Sequence, residues 1–324
     1  MMQRRCVLAT VAVLALSTSA WAQSFPDRTI TMIVPFAAGG PTDTVARLIA
    51  EPMTASLGQQ VIVENVGGAG GTLGAGRVAK ADPDGYTLLL HHIGQATSAS
   101  LYRKLPYKPG EAFAAVGLVT DVPMTIVGKG DLAPANVTEL VEYIKTNKDQ
   151  VTLANAGIGS ASHLCGMLLM DALDSPMTTV PYKGTGPAMT DLMGGQVDLM
   201  CDQTTNTTSQ IKGGKIKGYA VTTKDPVPSL PDLPTLDSSG VPGFEVAVWH
   251  GLYAPAGTPP EVVEKLAAAL QAALADPKVI ERFADLGTQP VAADRATPAA
   301  LDAQLQSEIA KWQPIIEAAG VYAD

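Results

Sequence analysis

Between residues 29 and 243 the chain repeats one unit: a short apolar run, a turn of glycine or small polar residues, then an amphipathic helical stretch. This alternation restricts the chain to an α/β fold with largely parallel sheets, because parallel neighbours must be joined by a helix-length crossover. Residues 29–35 read as the first strand. Thr42 is placed to cap the helix that follows, whose Val45, Leu48, Ile49 and Met53 share one face. Strands are expected over Val61–Asn65 and residues 87–91. An unusually long extended stretch covers 115–127, interrupted only by Asp121-Val122-Pro123.

A second block continues the pattern. Helices over Val137–Asn147, 160–172 and 186–193 alternate with strands over 151–155, 178–182, 199–202 and 218–222. The prolines of 225–234 then forbid regular structure and mark a connecting loop. Beyond it, 244–254 is another long strand. The chain ends in helices, one of them over 259–274 with Val262, Val263, Leu266 and Leu270 facing inward. One long extended segment enters the central block and one leaves it. The reading is therefore two α/β domains joined by a two-stranded hinge, residues 23–122 plus 248–324 and residues 123–247, with a ligand cleft between them.

The N-terminus sets the compartment. Arg4 and Arg5 precede an apolar run over 7–16 and the small residues Ala20 and Ala22, the pattern of a secretory signal peptide over residues 1–22 cleaved before Gln23. Cys6 lies inside that leader and not at its junction, so a lipoprotein is not indicated. The expected location is the periplasm. Cleavage removes 2 of the 22 basic residues and leaves all 31 acidic ones, a net charge of −11. Nucleic-acid binding is excluded on that balance, since it needs clustered Lys and Arg. Cys165 and Cys201 remain, and a disulfide and two buried thiols are equally compatible with the sequence. The four histidines have no metal-ligand spacing, so neither metal nor cofactor is expected.

Binding chemistry is expected where strands feed small-residue turns. Phe36, Ala37, Ala38, Gly39, Gly40, Pro41 and Thr42 put no long side chain before the first helix, so its backbone N–H groups and positive dipole end can approach a carboxylate. Asn155, Ala156, Gly157, Gly159 and Ser160 form the counterpart in the second block. Each motif also has a plain packing role open to it. Asp43 and Arg47, four apart on one helix, read as an ion pair and not as a ligand clamp. His163 in the first turn of its helix is equally suited to donating to a ligand or to contacting nearby backbone. Of His91 and His92, one is expected to point inward and one outward, since strand side chains alternate. The run Asp202, Gln203, Thr204 to Thr208 is read as a cleft wall. The glycine-rich segment 66–76 lacks the Gly-Lys-Ser/Thr of a phosphate loop and is expected to be a mobile loop beside the cleft.

A serine hydrolase built on Ser160 or Ser162 with His163 is the competing reading, but no strand-end acid completes a triad. Cys165 and His163 diverge by about 200° around their helix and cannot act as nucleophile and base.

The motifs VPFAAGGPTD (34–43), VENVGGAGG (63–71), DGYTL (84–88), ANAGIGS (154–160), VPYKG (180–184) and LYAPAGTP (252–259) occur in order along nearly the whole mature chain. Together they resemble the Bug family of periplasmic receptors of tripartite tricarboxylate transporters. The resemblance implies a periplasmic-binding-protein fold of the second type, closure like a Venus flytrap, and delivery to membrane permease subunits of a small carboxylate, with an acidic amino acid such as aspartate expected first and a C4 to C6 dicarboxylate, an aromatic acid or citrate as alternatives; a monomer is expected. A sensory role beside a membrane kinase would use the same fold. Carried to this sequence, the family's ligand contacts fall on the Phe36 to Thr42 and Asn155 to Ser160 turns, with Tyr182 inside VPYKG. HHIG (91–94) and CDQTTN (201–206) are similar to the aspartate-binding member, which makes His92 and Asp202 candidates. An amino acid's ammonium needs an acceptor, which a carboxylate at 202 would supply.

Overall fold

The computed structural model describes residues 25–320, 322 and 323; the expected leader and its cleavage point lie outside them. The described residues form nine strands and ten α-helices. In chain order these are β1 (Ile30–Val34), α1 (Pro41–Leu57), β2 (Val61–Asn65), α2 (Thr72–Val78), β3 (Thr87–His92), α3 (Gly94–Leu101), β4 (Phe113–Lys129), α4 (Val137–Asn147) and β5 (Thr152–Asn155). Then come α5 (Ala161–Leu173), β6 (Thr178–Pro181), α6 (Thr185–Met193), β7 (Leu199–Gln203), α7 (Thr204–Lys212), β8 (Ile216–Val221), β9 (Ala247–Pro255), α8 (Pro260–Leu274), α9 (Pro277–Asp285) and α10 (Pro298–Ala319).

The strands run in the order β2-β1-β3-β9-β4-β7-β5-β6, with β8 also paired to β4. Parallel pairing holds within β2-β1-β3 and within β7-β5-β6, where each connection carries a helix. The sheet is nonetheless mixed, because β9, β7 and β8 all meet β4 antiparallel and β9 also meets β3 antiparallel. β4 is what makes one curled sheet serve two halves. Its first part, Phe113 to Pro123, pairs with β9, and its second, Met124 to Lys129, pairs with β7 and β8.

The crossing point is held by Thr222. It is fully buried, its backbone N–H donates to Met124 O, its hydroxyl donates to Val246 O, and Val246 N–H donates to Thr222 O. Two extended strands therefore pass side by side between the halves, as the two long apolar stretches led us to expect. The apolar interior is continuous across the halves, one cluster holding Ile33 and Leu89 of the first together with Leu153 and Leu199 of the second. Val45, Ile49 and Met53 of α1 pack with Leu266 and Leu270 of α8 against β1 and β3, while Leu164, Cys165 and Leu169 of α5 pack on β5 and β7. Cys165 and Cys201 are bonded, their Cα atoms 6.0 Å apart, tying α5 to β7.

Three local expectations fail. Gly40, in extended geometry and without a side-chain cap, stands at the N-cap of α1, so Thr42 lies inside the helix; the proline at the first helical position supplies the start instead. Segment 66–76 is a loop only over 66–68, since a 3₁₀ turn over Ala69–Gly71 then leads directly into α2. His91 and His92 do not alternate between interior and surface: both are buried, because β3 lies inside the sheet with both faces covered.

Candidate functional site

The two halves close on a cavity of about 10 Å³, about the room of one water, lined by Phe36, Gly40, Pro41 and Thr42 of the first half's turn, His92, Ala156, Ser160, Ala161 and Ser162, and Thr185, Asp202 and Gln203. Its walls are helix starts. α1, α5, α6 and α7 all present their first residues to it, through Pro41 and Thr42, Ala161 and Ser162, Thr185, and Gln203 as the N-cap of α7. The leading N–H groups of a helix have no carbonyl four residues back, and each helix start carries about +0.5 of an elementary charge. None of the described lining residues is Lys or Arg. Positive potential in this cleft comes from backbone.

Each turn is braced from behind. Asp43, 5 % exposed, accepts from Gly39 N–H and from Arg47 Nε and Asn65 Nδ2, all at 3.0 Å, while Asn65 Nδ2 also donates to Phe36 O. Burial works to raise the Asp43 pKa, but those three donors outweigh it and hold the carboxyl below its ordinary value. Arg47 is thus engaged in the turn and turned away from the cleft. In the second half, Ser160 Oγ accepts from His163 N–H at the N-cap of α5, Ser162 Oγ takes Ala156 N–H at 2.9 Å, and Asn155 Oδ1 takes Gly157 N–H at 2.9 Å. His163 Nδ1 faces Gly159 N–H at 3.4 Å. Among the described residues neither serine is paired with an imidazole as nucleophile to base, and no carboxylate orients His163.

His92 reaches the cavity wall stacked on Phe36, ring centroids 4.7 Å apart. Burial, with His91 and His250 nearby, depresses its pKa well below the ordinary value and keeps it neutral. Its Nδ1 accepts from Gly94 N–H at 2.9 Å, which places the ring proton on Nε2. Behind it, His91 Nδ1 accepts from His92 N–H, and His250 Nε2 lies 3.4 Å from Thr42 Oγ1.

Asp202 closes the far wall. It is wholly buried at the end of β7, its Oδ2 accepts from Asn206 Nδ2, and its Oδ1 has no partner. Burial pushes its pKa up to about 7, against the favourable pull of Asn206, the Gln203 backbone and the nearby Thr185 hydroxyl. Gln203 Oε1, Thr205 Oγ1 and Thr185 Oγ1 are likewise buried without a hydrogen bond of adequate geometry. Buried polar atoms are normally satisfied, so the three unpaired ones on the cavity lining, Asp202 Oδ1, Gln203 Oε1 and Thr185 Oγ1, mark a place where another molecule supplies the partners.

Of the sequence candidates, Phe36, Gly40, Pro41, Thr42, His92, Ala156, Ser160, Asp202 and Gln203 are brought to this cavity. Ala37 and Gly157 lie instead at the outer mouth, where Ala37 N–H donates to Lys183 O across the cleft. Ala38, Gly39, Asn155, Gly159 and His163 do not line it, Ala38 and Gly39 being exposed at the seam and Asn155 and Gly159 buried. Tyr182 turns its hydroxyl outward to Asp191 Oδ2 at 2.7 Å, and Thr204 Oγ1 bonds Gly287 O at 3.2 Å on the hinge side. Sequence reasoning missed Thr185 and Ala161 on the lining, and the helix starts of α6 and α7. The Gly184-Thr185-Gly186-Pro187 string was the available signal for α6.

The model of the tripartite tricarboxylate transporter family receptor matches residues 45–321. A protein encoded in the TAR-I ttuE-ttuC' intergenic region of Agrobacterium vitis is 59% identical over 297 residues, 92% of this chain and 86% of that one. Among solved structures, the periplasmic binding protein BugD superposes with a TM-score of 0.90 at 56% identity, covering 92% of this chain and 99% of that one. MatC of Rhodopseudomonas palustris, solved with bound malate, gives 0.87 at 43% identity, covering 90% and 100%. The fold thus has its counterpart in solved receptors, and the chain belongs to the receptor family of the tripartite tricarboxylate transporters, a periplasmic solute-binding protein and not an enzyme.

Proposed function

We propose that the chain captures a small carboxylate, an acidic amino acid such as aspartate, by domain closure and delivers it to membrane permease subunits. The observation that carries this reading is the combination of four converging helix starts with one unpaired buried carboxylate oxygen, Asp202 Oδ1. Helix starts suit the ligand's carboxylates, and Asp202 suits its ammonium. His92 Nε2–H is a further donor for a carboxylate oxygen. Residues 23–122 with 248–324 and residues 123–247 then act as the two moving bodies, bending where Val122-Pro123 runs beside Ala247-Val248. Removal of a leader over 1–22 would place the mature chain in the periplasm.

A second reading, a plain C4 to C6 dicarboxylate, draws support from the malate held by MatC at 43% identity. Asp202→Asn separates the two. At pH 8 it is expected to weaken L-aspartate by about 10- to 100-fold, the worth of one charge-assisted hydrogen bond, and not to weaken succinate. Equal losses for both in calorimetry would move the ammonium contact elsewhere. The mass of the compound that co-purifies with natively isolated protein tests the ligand class directly. Solution scattering should show a smaller radius of gyration on saturation, since a ligand gripped by helix starts of both halves favours the closed form over the open one.

A further inference from the structure

An unpaired carboxyl in a cleft built for anions raises a chemical question that the carboxylate-receptor reading leaves open. Among the described lining residues Asp202 has no cation to meet. From β4 it adjoins Thr125; across the cavity stand Thr42 of α1, with His250 of β9 behind it, and His92 of β3. Ser160 and Ser162 face it from α5, Thr185 from α6 and Asn206 from α7. Asp43, the nearest other acid on α1, is occupied by Arg47 and Asn65. Among the described lining residues only His92 and Asp202 titrate, and His92 is neutral.

Resting on that reading, we propose that Asp202 fits one cleft to two ligand classes by its proton: ionised, it accepts from the ammonium of an amino diacid; protonated through Oδ1, it donates to a plain diacid. Binding of the plain diacid then takes up one proton from solvent, and binding of the amino diacid above neutral pH takes up none. The physical reason is charge pairing at full burial. Two carboxylates and Asp202 together cannot all stay ionised in a site without side-chain cations, whereas a ligand ammonium supplies the missing positive charge. Asn206 fixes Oδ2, so the proton resides on the oxygen that faces the ligand. The upward shift of the Asp202 pKa to about 7 puts this exchange within the physiological range.

The test is calorimetry of the mature wild-type protein with succinate and with L-aspartate at pH 6.5 and 8.5, each in two buffers of different ionisation enthalpy. Succinate is expected to take up about one proton at pH 8.5 and to bind about 20- to 30-fold more weakly there than at pH 6.5. L-Aspartate is expected to exchange almost no proton at pH 8.5 and to gain about fourfold over the same interval. Asp202→Asn should remove the pH dependence of succinate. Succinate binding at pH 8.5 without proton uptake, or a pH dependence that persists in Asp202→Asn, would overturn the coupling while leaving the receptor reading in place. Failure of both compounds to bind wild type at either pH would overturn the receptor reading for C4 diacids and the coupling with it.

Discussion

Gly186→Ala is expected to cut ligand affinity by on the order of 1000-fold while leaving the melting temperature of the ligand-free protein at or above that of wild type. Gly186 is the second residue of α6 in the second half, and a Cβ there would lie 2.6 Å from Ala38 O, 3.1 Å from the Gly39 carbonyl carbon and 3.2 Å from Gly40 N in the first half. These are backbone atoms of the braced turn and cannot swing aside. Overpacking usually costs about 1–3 kcal/mol, and contact with rigid backbone falls at or beyond the top of that range, about 4 kcal/mol for the closed form. The open form carries none of that cost, because the two halves are then apart.

The backbone of Gly186 is not in the left-handed region, so alanine is conformationally acceptable and is the better helix former. The substitution thus acts on closure alone. Scattering should find no compaction with ligand, and affinity within threefold of wild type would show that the halves do not meet this closely in the bound state. Gly67 and Gly184 belong to the same seam: added Cβ atoms would meet Lys183 O at 2.7 Å and Ala37 N at 2.8 Å respectively. Gly70 goes further, with Ile158 O 1.9 Å from its Cβ position. Gly67, Gly70, Gly184 and Gly186 are thereby explained as close approach of backbone between halves, whereas Gly68 and Gly71 have positive φ and face side chains of their own half.

The same seam shows what was legible in the chain and what was not. Local pattern located β2 and α4 at their observed ends, and it placed the hinge strands and the turns before α1 and α5. α7 escaped because a Thr-rich run has poor helix propensity and no side-chain cap. What makes it helical is tertiary: Thr125 bonds Thr207, and Thr204 and Thr208 donate to Gly287 O and Leu286 O of the other half. The run was correctly singled out as polar and near the cleft, but the reason lay 78 to 83 residues away. The disulfide was undecidable for a similar reason, since pairing depends on how α5 packs on β7. His91 and His92 misled because alternation predicts exposure only for a strand with one wet face.

Those buried histidines give the second large effect, a loss of stability on mild acidification. His91 and His250 have pKa values of about 3 in the folded protein, against 6.5 unperturbed, burial being the main cause for both. Between those values the unfolded chain binds more protons than the folded one, so stability rises with pH across the window. It is fully present above 6.5 and is lost as the pH falls toward 3. From pH 8 to pH 5 each of the two contributes a loss of about 2 kcal/mol, together about 4 kcal/mol, and His92 adds to it in the same direction.

Asp202 opposes this trend. Its folded pKa of about 7 exceeds the unperturbed 3.8, so its contribution is most favourable below 3.8 and is lost as pH rises through 7. In wild type the two trends partly cancel between pH 7 and 5, and a flat profile there would be no evidence against either. Asp202→Asn removes the opposing group and leaves the histidines, so its unfolding free energy in urea should fall by about 4 kcal/mol or more between pH 8 and pH 5. A change under 1 kcal/mol in that variant would mean that His91 and His250 reach water in the folded state. Adding His91→Gln and His250→Gln should then cut the fall by about 4 kcal/mol, leaving the part that His92 contributes, which assigns that share of the slope to these two rings and separates it from the general titration of surface carboxylates.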